Sequence, residues 1–216
     1  DAIIKNYIYK DPVLEWYIRV KCRIDGYYDL WDKLVPRNST IVDVGCGYGQ
    51  MSFMLGLLSP DRKVLGVDYD NEKIRIAQHS FLSKKTNTRF ECADMRTLDL
   101  PNVDVILFND SLHYVDIESQ KQILIRAFEA LNDGGMVIVR DGDSSIEEGH
   151  NKIEQTEVCS TRIIKFNKTS ESICFVSSDW MRTIAAENGM NMKVRRCDND
   201  SSETLYILTK KQDEKV

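Results

Sequence analysis

An α/β fold with a doubly wound, mainly parallel seven-stranded sheet follows from three features of the sequence. From Thr40 onward, apolar runs of strand length alternate with segments of helical periodicity; a glycine-rich turn joins the first run to a helix; and Val103 to Asn109 is almost continuously apolar. Alternation of this kind implies right-handed crossovers with helices on both sheet faces, and a continuous apolar run marks a strand covered on both sides. The 216 residues suffice for one sizeable α/β domain with small additions, and are too few for two full ones.

Ile3, Ile4, Tyr7 and Ile8 recur at helical spacing, and Asp11-Pro12 supplies an N-cap with proline at the first helical position. A second helix is predicted from Pro12 to Leu34, broken near Asp25-Gly26, with an apolar stripe of Leu14, Tyr17, Ile18, Cys22, Tyr28 and Trp31. These helices occupy residues 1–39, outside an α/β unit expected over 40–210. Ile41, Val42 and Val44 read as a buried strand. A helix starts near Gln50-Met51, with its body from Ser52 to Ser59 and a stop at Pro60. Lys63 to Asp68 is the next strand, Asn71 to Lys85 a helix with Ile74, Ile76, Ala77 and Phe81 as its apolar positions, and Thr88 to Cys92 a short strand. Ser119 to Leu131 reads as an amphipathic helix closed by Asn132-Asp133-Gly134-Gly135, and Met136 to Val139 as the fifth strand.

The segment at about 142–176 is longer than an ordinary connection and is where a substrate cover is expected. Its helix-prone stretch, Ile146 to Ile164, carries His150, Glu157 and Arg162, whose default reading is a solvated charged face. After Asp179 a helix runs to Glu187 and stops at Asn188-Gly189. Asn191 to Cys197 and Thr204 to Leu208 form a C-terminal antiparallel hairpin at the sheet edge, and residues 211–216 are a tail.

Composition narrows the partners. With 29 lysines and arginines against 34 acids the net charge is −5, which argues against a broad nucleic-acid footprint. No run approaches the roughly 20 apolar residues of a membrane span, and no secretory signal pattern opens the chain. A cytoplasmic setting is the expectation. The first residue, Asp1, fits a segment of a longer polypeptide. The six cysteines show no C-x-x-C pair or Cys/His cluster, so neither a metal site nor a disulfide frame is expected.

The run Ile41-Val42-Asp43-Val44-Gly45-Cys46-Gly47-Tyr48-Gly49 carries the functional signal. Glycines let such a turn close tightly and let a ligand approach the backbone, while the N–H groups of the following helix favour an acidic guest. A dinucleotide fingerprint is G-x-G-x-x-G. Here the spacing is G-x-G-x-G, and Gln50 stands where that fingerprint wants a small residue. Cys46 reads as a small pocket-lining residue. Asp68 closes the second strand 19 residues after Gly49, where a carboxylate accepts the ribose hydroxyls of an adenosine, and Tyr69 beside it is placed to lie against the adenine. Ligands of such sheets bind at the C-terminal ends of the strands.

The glycine run resembles the first motif of the class I S-adenosylmethionine-dependent methyltransferases, in which an acidic residue two before the first glycine corresponds to Asp43. Glu91-Cys92-Ala93-Asp94-Met95 is similar to the segment whose aspartate takes the adenine amino group, with the Met95 N–H at the ring edge. Leu107-Phe108-Asn109-Asp110-Ser111-Leu112-His113-Tyr114 resembles the fourth motif, which sets Asn109 toward the methionine half of the cofactor. Leu131 to Val139 resembles the turn into the fifth strand. Five parallel strands followed by a hairpin is the order of this Rossmann-like fold, whose members commonly place a lid before the first strand, here residues 1–39. The resemblance covers about Thr40 to Asp141.

It implies S-adenosylmethionine as cofactor, S-adenosylhomocysteine as product, and Asp43, Gly45, Cys46, Gly47, Asp68, Tyr69, Asp94, Met95 and Asn109 as cofactor-binding residues. The expected acceptor is a small molecule, phenolic or acyl-linked. The Asn/Asp-Pro-Pro-Tyr/Phe run of enzymes that methylate amino groups of bases and glutamine is missing after the fourth strand. His113 is the candidate base, since an unperturbed histidine titrates in the useful range; shaping the pocket is its alternative role. Arg140 and Asp141 suit either substrate contact or a structural ion pair. Pro12 to Tyr17 and Arg140-Asp141-Gly142 also look similar to methyltransferase domains that follow acyltransferase domains in bacterial aryl-polyene and flexirubin-type pigment pathways, which implies a fused or paired acyltransferase. Two other functions stay open at this point: a cofactor-binding scaffold or sensor without turnover, and an NAD-dependent oxidoreductase.

Overall fold

A computed structural model describes residues 2–8, 10–24, 28–146, 173–197 and 202–210. The chain divides into two compact units, Asp1–Asp94 and Met95–Val216. The N-terminal helices thus group with the first three strands. Seven strands form a mixed sheet in the order β3-β2-β1-β4-β5-β7-β6.

In the first unit, helices α1 (Ala2–Tyr7), α2 (Pro12–Ile24) and α3 (Tyr28–Leu34) precede β1 (Thr40–Val44), α4 (Gln50–Leu58), β2 (Lys63–Asp68), α5 (Asn71–Gln78) and β3 (Thr88–Cys92). The expected break near Asp25-Gly26 lies outside the described residues. The three strands are parallel, with Val44 opposite Val67 and Asp68 opposite Cys92. Ile41, Val42, Val44, Phe53, Leu55, Val67, Ile74 and Phe90 are buried core.

A side chain that the sequence reading passed over ties this unit together. Arg62 is fully buried, and its guanidinium donates to Asp32 Oδ1 at 2.8 Å and to the carbonyls of Pro36, Leu55, Asp32 and Val35. All five guanidinium N–H groups have acceptors of this kind within reach, which is the condition for holding such a charge out of water.

Helix α5 ends at Gln78, seven residues earlier than predicted, and a short 3₁₀ turn follows at Leu82–Lys84. The reason is local. The Ser83 hydroxyl donates to the carbonyls of Gln78 and Ser80, and the Leu82 N–H is taken by Asn6 Oδ1 of α1, so the helical ladder gives way to side-chain partners.

The second unit holds β4 (Val103–Asn109), a 3₁₀ turn (Leu112–Tyr114), α6 (Ile117–Glu129), β5 (Leu131–Gly142), α7 (Ser178–Glu187), β6 (Met190–Arg196) and β7 (Glu203–Lys210). β5 runs parallel to β4, and β7 is antiparallel to both β5 and β6, so the predicted hairpin is present with β7 inside and β6 at the edge. Helix α6 starts two residues before Ser119, because Asp116 accepts the Ser119 N–H and hydroxyl as its N-cap. Its end, and the start of β5, depart from the prediction more. Leu131 pairs with Val103, so Asn132 to Gly135, read as a helix stop, lie within β5 across a register shift. A bulge admits glycines that would weaken a regular strand.

Candidate functional site

In the first unit the site residues gather at the C-terminal ends of β1, β2 and β3. Gly45, Gly47 and Gly49 have φ of 77°, 55° and 82°, in the left-handed region where a side chain is strained. Gly49 is also sterically obliged to lack one: a Cβ there would stand 2.5 Å from the Phe90 ring, which Phe53 packs at 5.0 Å between centroids. A Cβ at Gly47 would meet nothing within 4 Å. The turn is pinned below by the Gly45 and Cys46 N–H groups on the Val67 carbonyl, at 2.7 and 3.0 Å. Gly49 precedes α4 without a side-chain cap, so the first-turn N–H groups of that helix point to the space over the glycines.

Asp68 braces the turn from β2. Its Oδ2 accepts the Gly47 N–H at 2.8 Å and its Oδ1 the Asp70 N–H at 2.9 Å. A carboxylate has about four lone-pair sites, so two hydrogen bonds leave capacity for a diol. Tyr69 is 47% exposed beside it, and Asp94 follows β3 as a half-buried residue.

Asp43 turns inward: its Oδ2 accepts the Ser52 hydroxyl at 2.5 Å, and it is 1% exposed. Burial raises its carboxyl to about 6, against the Ser52 hydrogen bond and with the neighbouring Asp68 charge adding to the rise. The Cys46 thiol is pushed well up by burial and by the Asp43 and Asp68 charges. A thiol so held is a poor nucleophile, in accord with a lining role.

Two features of this site are not legible in the sequence. The Gln50 amide nitrogen, at the first position of α4, is buried without a hydrogen-bond partner among the described residues. Tyr7 of α1, fully buried, donates its hydroxyl to the Tyr48 carbonyl at 2.6 Å, and the Tyr48 ring lies against Tyr17 of α2 (6.3 Å) and under Lys73 Nζ (5.6 Å). The N-terminal helices therefore grip the glycine turn through its one aromatic residue. No local pattern announces a bond between residues 41 apart.

The second unit contributes the turn after β4. Asn109 ends that strand with its Oδ1 buried and lacking a partner among the described residues. Asp110 has φ 52° and forms an ion pair with Arg140 at 2.6 Å, while the other Arg140 amine meets Glu203 at 2.5 Å. Arg140 is thus a buried structural cation, and of the two roles open to it the ion pair is the one observed. Met95 sits in a turn whose carbonyl, with that of Arg96, accepts Arg126 Nη2 at 2.9 and 2.8 Å.

His113 follows in the 3₁₀ turn, 2% exposed. Its Nδ1 lies 2.6 Å from Asp141 Oδ1, and Asp141 Oδ2 takes the His113 N–H at 3.2 Å. The ring packs at a tilt against Tyr114 (4.2 Å between centroids) and Phe175 (4.8 Å), and the Cys174 N–H donates to the His113 carbonyl. A carboxylate only accepts, so in the neutral ring Nδ1 carries the proton and Nε2 the lone pair. Residues 142–146 and 173–176 are the described ends of the expected substrate cover; its residues 147–172, with His150, Glu157 and Arg162, lie outside the described residues. Among the described residues there is no cluster able to hold a metal ion, and no helix long and apolar enough to cross a membrane.

In the first unit, the glycine turn with open space over Gly47, a braced carboxylate at Asp68, uncapped N–H groups on α4 and the orphaned amide nitrogen of Gln50 fit a zwitterionic nucleoside such as S-adenosylmethionine. Comparison with known proteins agrees. Residues 41–135 match the family of methyltransferase domains. A carboxy-S-adenosyl-L-methionine synthase of Shewanella sp. is 24% identical over 118 residues, 52% of this chain and 48% of that protein, so the chain spans about half the length of the curated relatives it matches. The fold is similar to that of an S-adenosylmethionine-dependent methyltransferase from Methanosarcina mazei (TM-score 0.64, 18% identity, 84% of this chain and 96% of that one). It is likewise similar to the mitomycin 7-O-methyltransferase MmcR (TM-score 0.66, 12% identity, 96% and 60%). Over residues 41–135 the chain thus matches the family of methyltransferase domains, and its fold is similar to that of S-adenosylmethionine-dependent methyltransferases.

Proposed function

We propose that the protein moves a methyl group from S-adenosylmethionine to a hydroxyl of a small-molecule acceptor, with His113 as the base. The observation that carries this reading is the 2.6 Å contact from His113 Nδ1 to Asp141 Oδ1. When bound, the cofactor supplies a methyl group that its sulfonium already makes electrophilic. Asp68 and Tyr69 hold the adenosine, Asp94 and the Met95 N–H read the adenine, and Gly45, Cys46, Gly47 and Asn109 seat the methionine half. Asp43 acts from behind the turn through Ser52. Asp141 keeps the His113 proton on Nδ1, so Nε2 accepts the acceptor hydroxyl's proton as its oxygen bonds to the methyl carbon and the electron pair of the broken bond returns to sulfur. Orientation and exclusion of water supply much of the remaining rate. MmcR, by its name a small-molecule O-methyltransferase, supports the acceptor class; a phenolic or acyl-linked acceptor and a paired acyltransferase domain belong to the same proposal.

The test is a panel of phenols and hydroxy acids with S-adenosylmethionine, read by mass spectrometry for S-adenosylhomocysteine and methylated product. With the acceptor found, His113→Gln is expected to lower kcat about 10²- to 10³-fold, within the range for a general base, and to flatten its pH profile while S-adenosylhomocysteine binds as before. Near-normal turnover across pH would remove His113 from the chemistry. Cofactor binding with no product across the panel would favour a scaffold or sensor, and calorimetric binding of NADH alone would sink the methyl-transfer reading. The Shewanella relatives support a second reading, in which the S-methyl carbon of S-adenosylmethionine loses a proton and takes carbon dioxide from a carboxylic-acid donor that is decarboxylated in turn. It predicts a cofactor heavier by one carboxyl group and no S-adenosylhomocysteine.

A further inference from the structure

The first unit carries a surface that cofactor binding does not explain. Residues 2–10 and 73–90 contain seven of the chain's 29 lysines and arginines and none of its 34 acids, in a protein whose net charge is −5. The fold brings the two stretches together: Asn6 Oδ1 accepts the Leu82 N–H at 2.9 Å, and Lys10 Nζ reaches the His79 carbonyl at 3.4 Å. Lys5, Lys10, Arg75, Lys84 and Lys85 are exposed here, and among the described residues none of them pairs with a carboxylate. In their midst Phe81, on the turn after α5, is 65% exposed, and Lys85 Nζ stands 5.6 Å from its ring centre. A lone exposed apolar side chain is ordinary. One set beside five exposed cations that pair with no carboxylate among the described residues, in an acidic protein, is not.

The composition of this surface selects its partner. A specific protein interface is built on a desolvated apolar core and charges of both signs that fix register; here one apolar ring stands among cations, with acids (Asp11, Glu72, Glu91) only at the borders of the two stretches. Single-stranded nucleic acid is held on several stacking aromatics, and among the described residues this surface offers Phe81 with only the His79 imidazole besides. An anionic bilayer needs neither register nor a row of platforms. Lysine stems lie along its surface with the ammonium groups among the headgroups, and an aromatic side chain enters the interface. We propose that this surface docks the protein on anionic lipid, with Phe81 in the interface and Lys5, Lys10, Arg75, Lys84 and Lys85 against the headgroups.

Co-sedimentation of the full chain with vesicles tests this, using phosphatidylcholine alone and phosphatidylcholine with about one third phosphatidylglycerol. Binding is expected only to the anionic vesicles, and its loss at about 0.5 M salt, where the screening length falls to a few ångströms. Each lysine near such a surface is worth about fivefold in partitioning, so Lys84→Ser with Lys85→Ser should lower binding about 25-fold. Phe81→Ser should lower it about tenfold by removing the buried ring. Unchanged circular dichroism and unfolding midpoint establish that the variants are folded. Equal sedimentation with both vesicle types, or full binding by both variants, overturns the proposal. So does retention on polyglutamate or an oligonucleotide under conditions that leave the vesicles unbound.

Discussion

The turn after β1 and the turn after β4 both sit at strand ends, but they are made differently. The first is a backbone device: three glycines with positive φ, held by N–H groups on the Val67 carbonyl and on Asp68. The second is a side-chain device, in which a non-glycine residue, Asp110, also takes positive φ but is held by Arg140, and His113 is held by Asp141. Where the backbone must be bare for a ligand to approach, glycine supplies the geometry at low strain. Where side chains must be presented, the strain of a left-handed residue, about 1–3 kcal/mol, is offset by a charge pair. The contrast has measurable consequences.

The side-chain device should fail most severely when its central charge is removed. Arg140→Met keeps the volume but leaves Asp110 and Glu203 as neighbouring carboxylates in a largely buried setting. Breaking a buried pair costs 3–5 kcal/mol, and the partial exposure of both acids puts this case at the lower end, about 3 kcal/mol in urea unfolding. A loss under about 1 kcal/mol would mean that Asp110 holds its turn without Arg140, and the comparison would collapse.

The two devices differ in the same way in how far they are legible in a sequence. Gly45, Gly47, Gly49 and Asp68 announce the first because a backbone turn is encoded by the residues that make it, and the brace lies at the end of the adjacent strand. His113 and Asp141 were both singled out, but their pairing spans 28 residues, Arg140 to Glu203 spans 63, and Arg62 to Asp32 spans 30. Pairings of that kind are properties of the folded sheet order, which periodicity does not carry. The element limits went wrong for a related reason. Gly134-Gly135 reads as a helix stop because glycine favours turns, whereas pairing of Leu131 with Val103 draws the segment into β5; and the end of α5 was lost to Asn6, 76 residues away from Leu82.

The backbone device separates steric from conformational cost at its own glycines. Gly49→Ala combines left-handed strain with a Cβ 2.5 Å from the Phe90 ring, itself held by Phe53, and should cost about 2–3 kcal/mol. Gly47→Ala has the strain and no clash, so about 1 kcal/mol is expected. Its methyl group instead occupies the open space over the turn, so calorimetry should show a tenfold or greater loss of S-adenosylhomocysteine affinity at nearly native stability. Equal stability losses in the two variants would show that Phe90 yields; full affinity in Gly47→Ala would move the ligand off the turn.

A change with pH, not a loss at one pH, tests whether the turn after β1 has a charge device of its own. Asp43 has its carboxyl raised from the usual 3.8 to about 6 by burial, so the folded chain holds a proton there that the unfolded chain has already released. Between these values the unfolded state binds fewer protons, and stability from this group is lost as pH rises. Between pH 4 and pH 7 the loss integrates to about 2 kcal/mol. Asp43→Asn has no such titration. Whatever its absolute stability, its unfolding free energy relative to wild type should therefore rise by about 2 kcal/mol over that interval. A constant difference would mean that Asp43 is ionised throughout, compensated by the Ser52 hydroxyl and the fields of its neighbours, and that the first turn relies on a held charge as much as the second does.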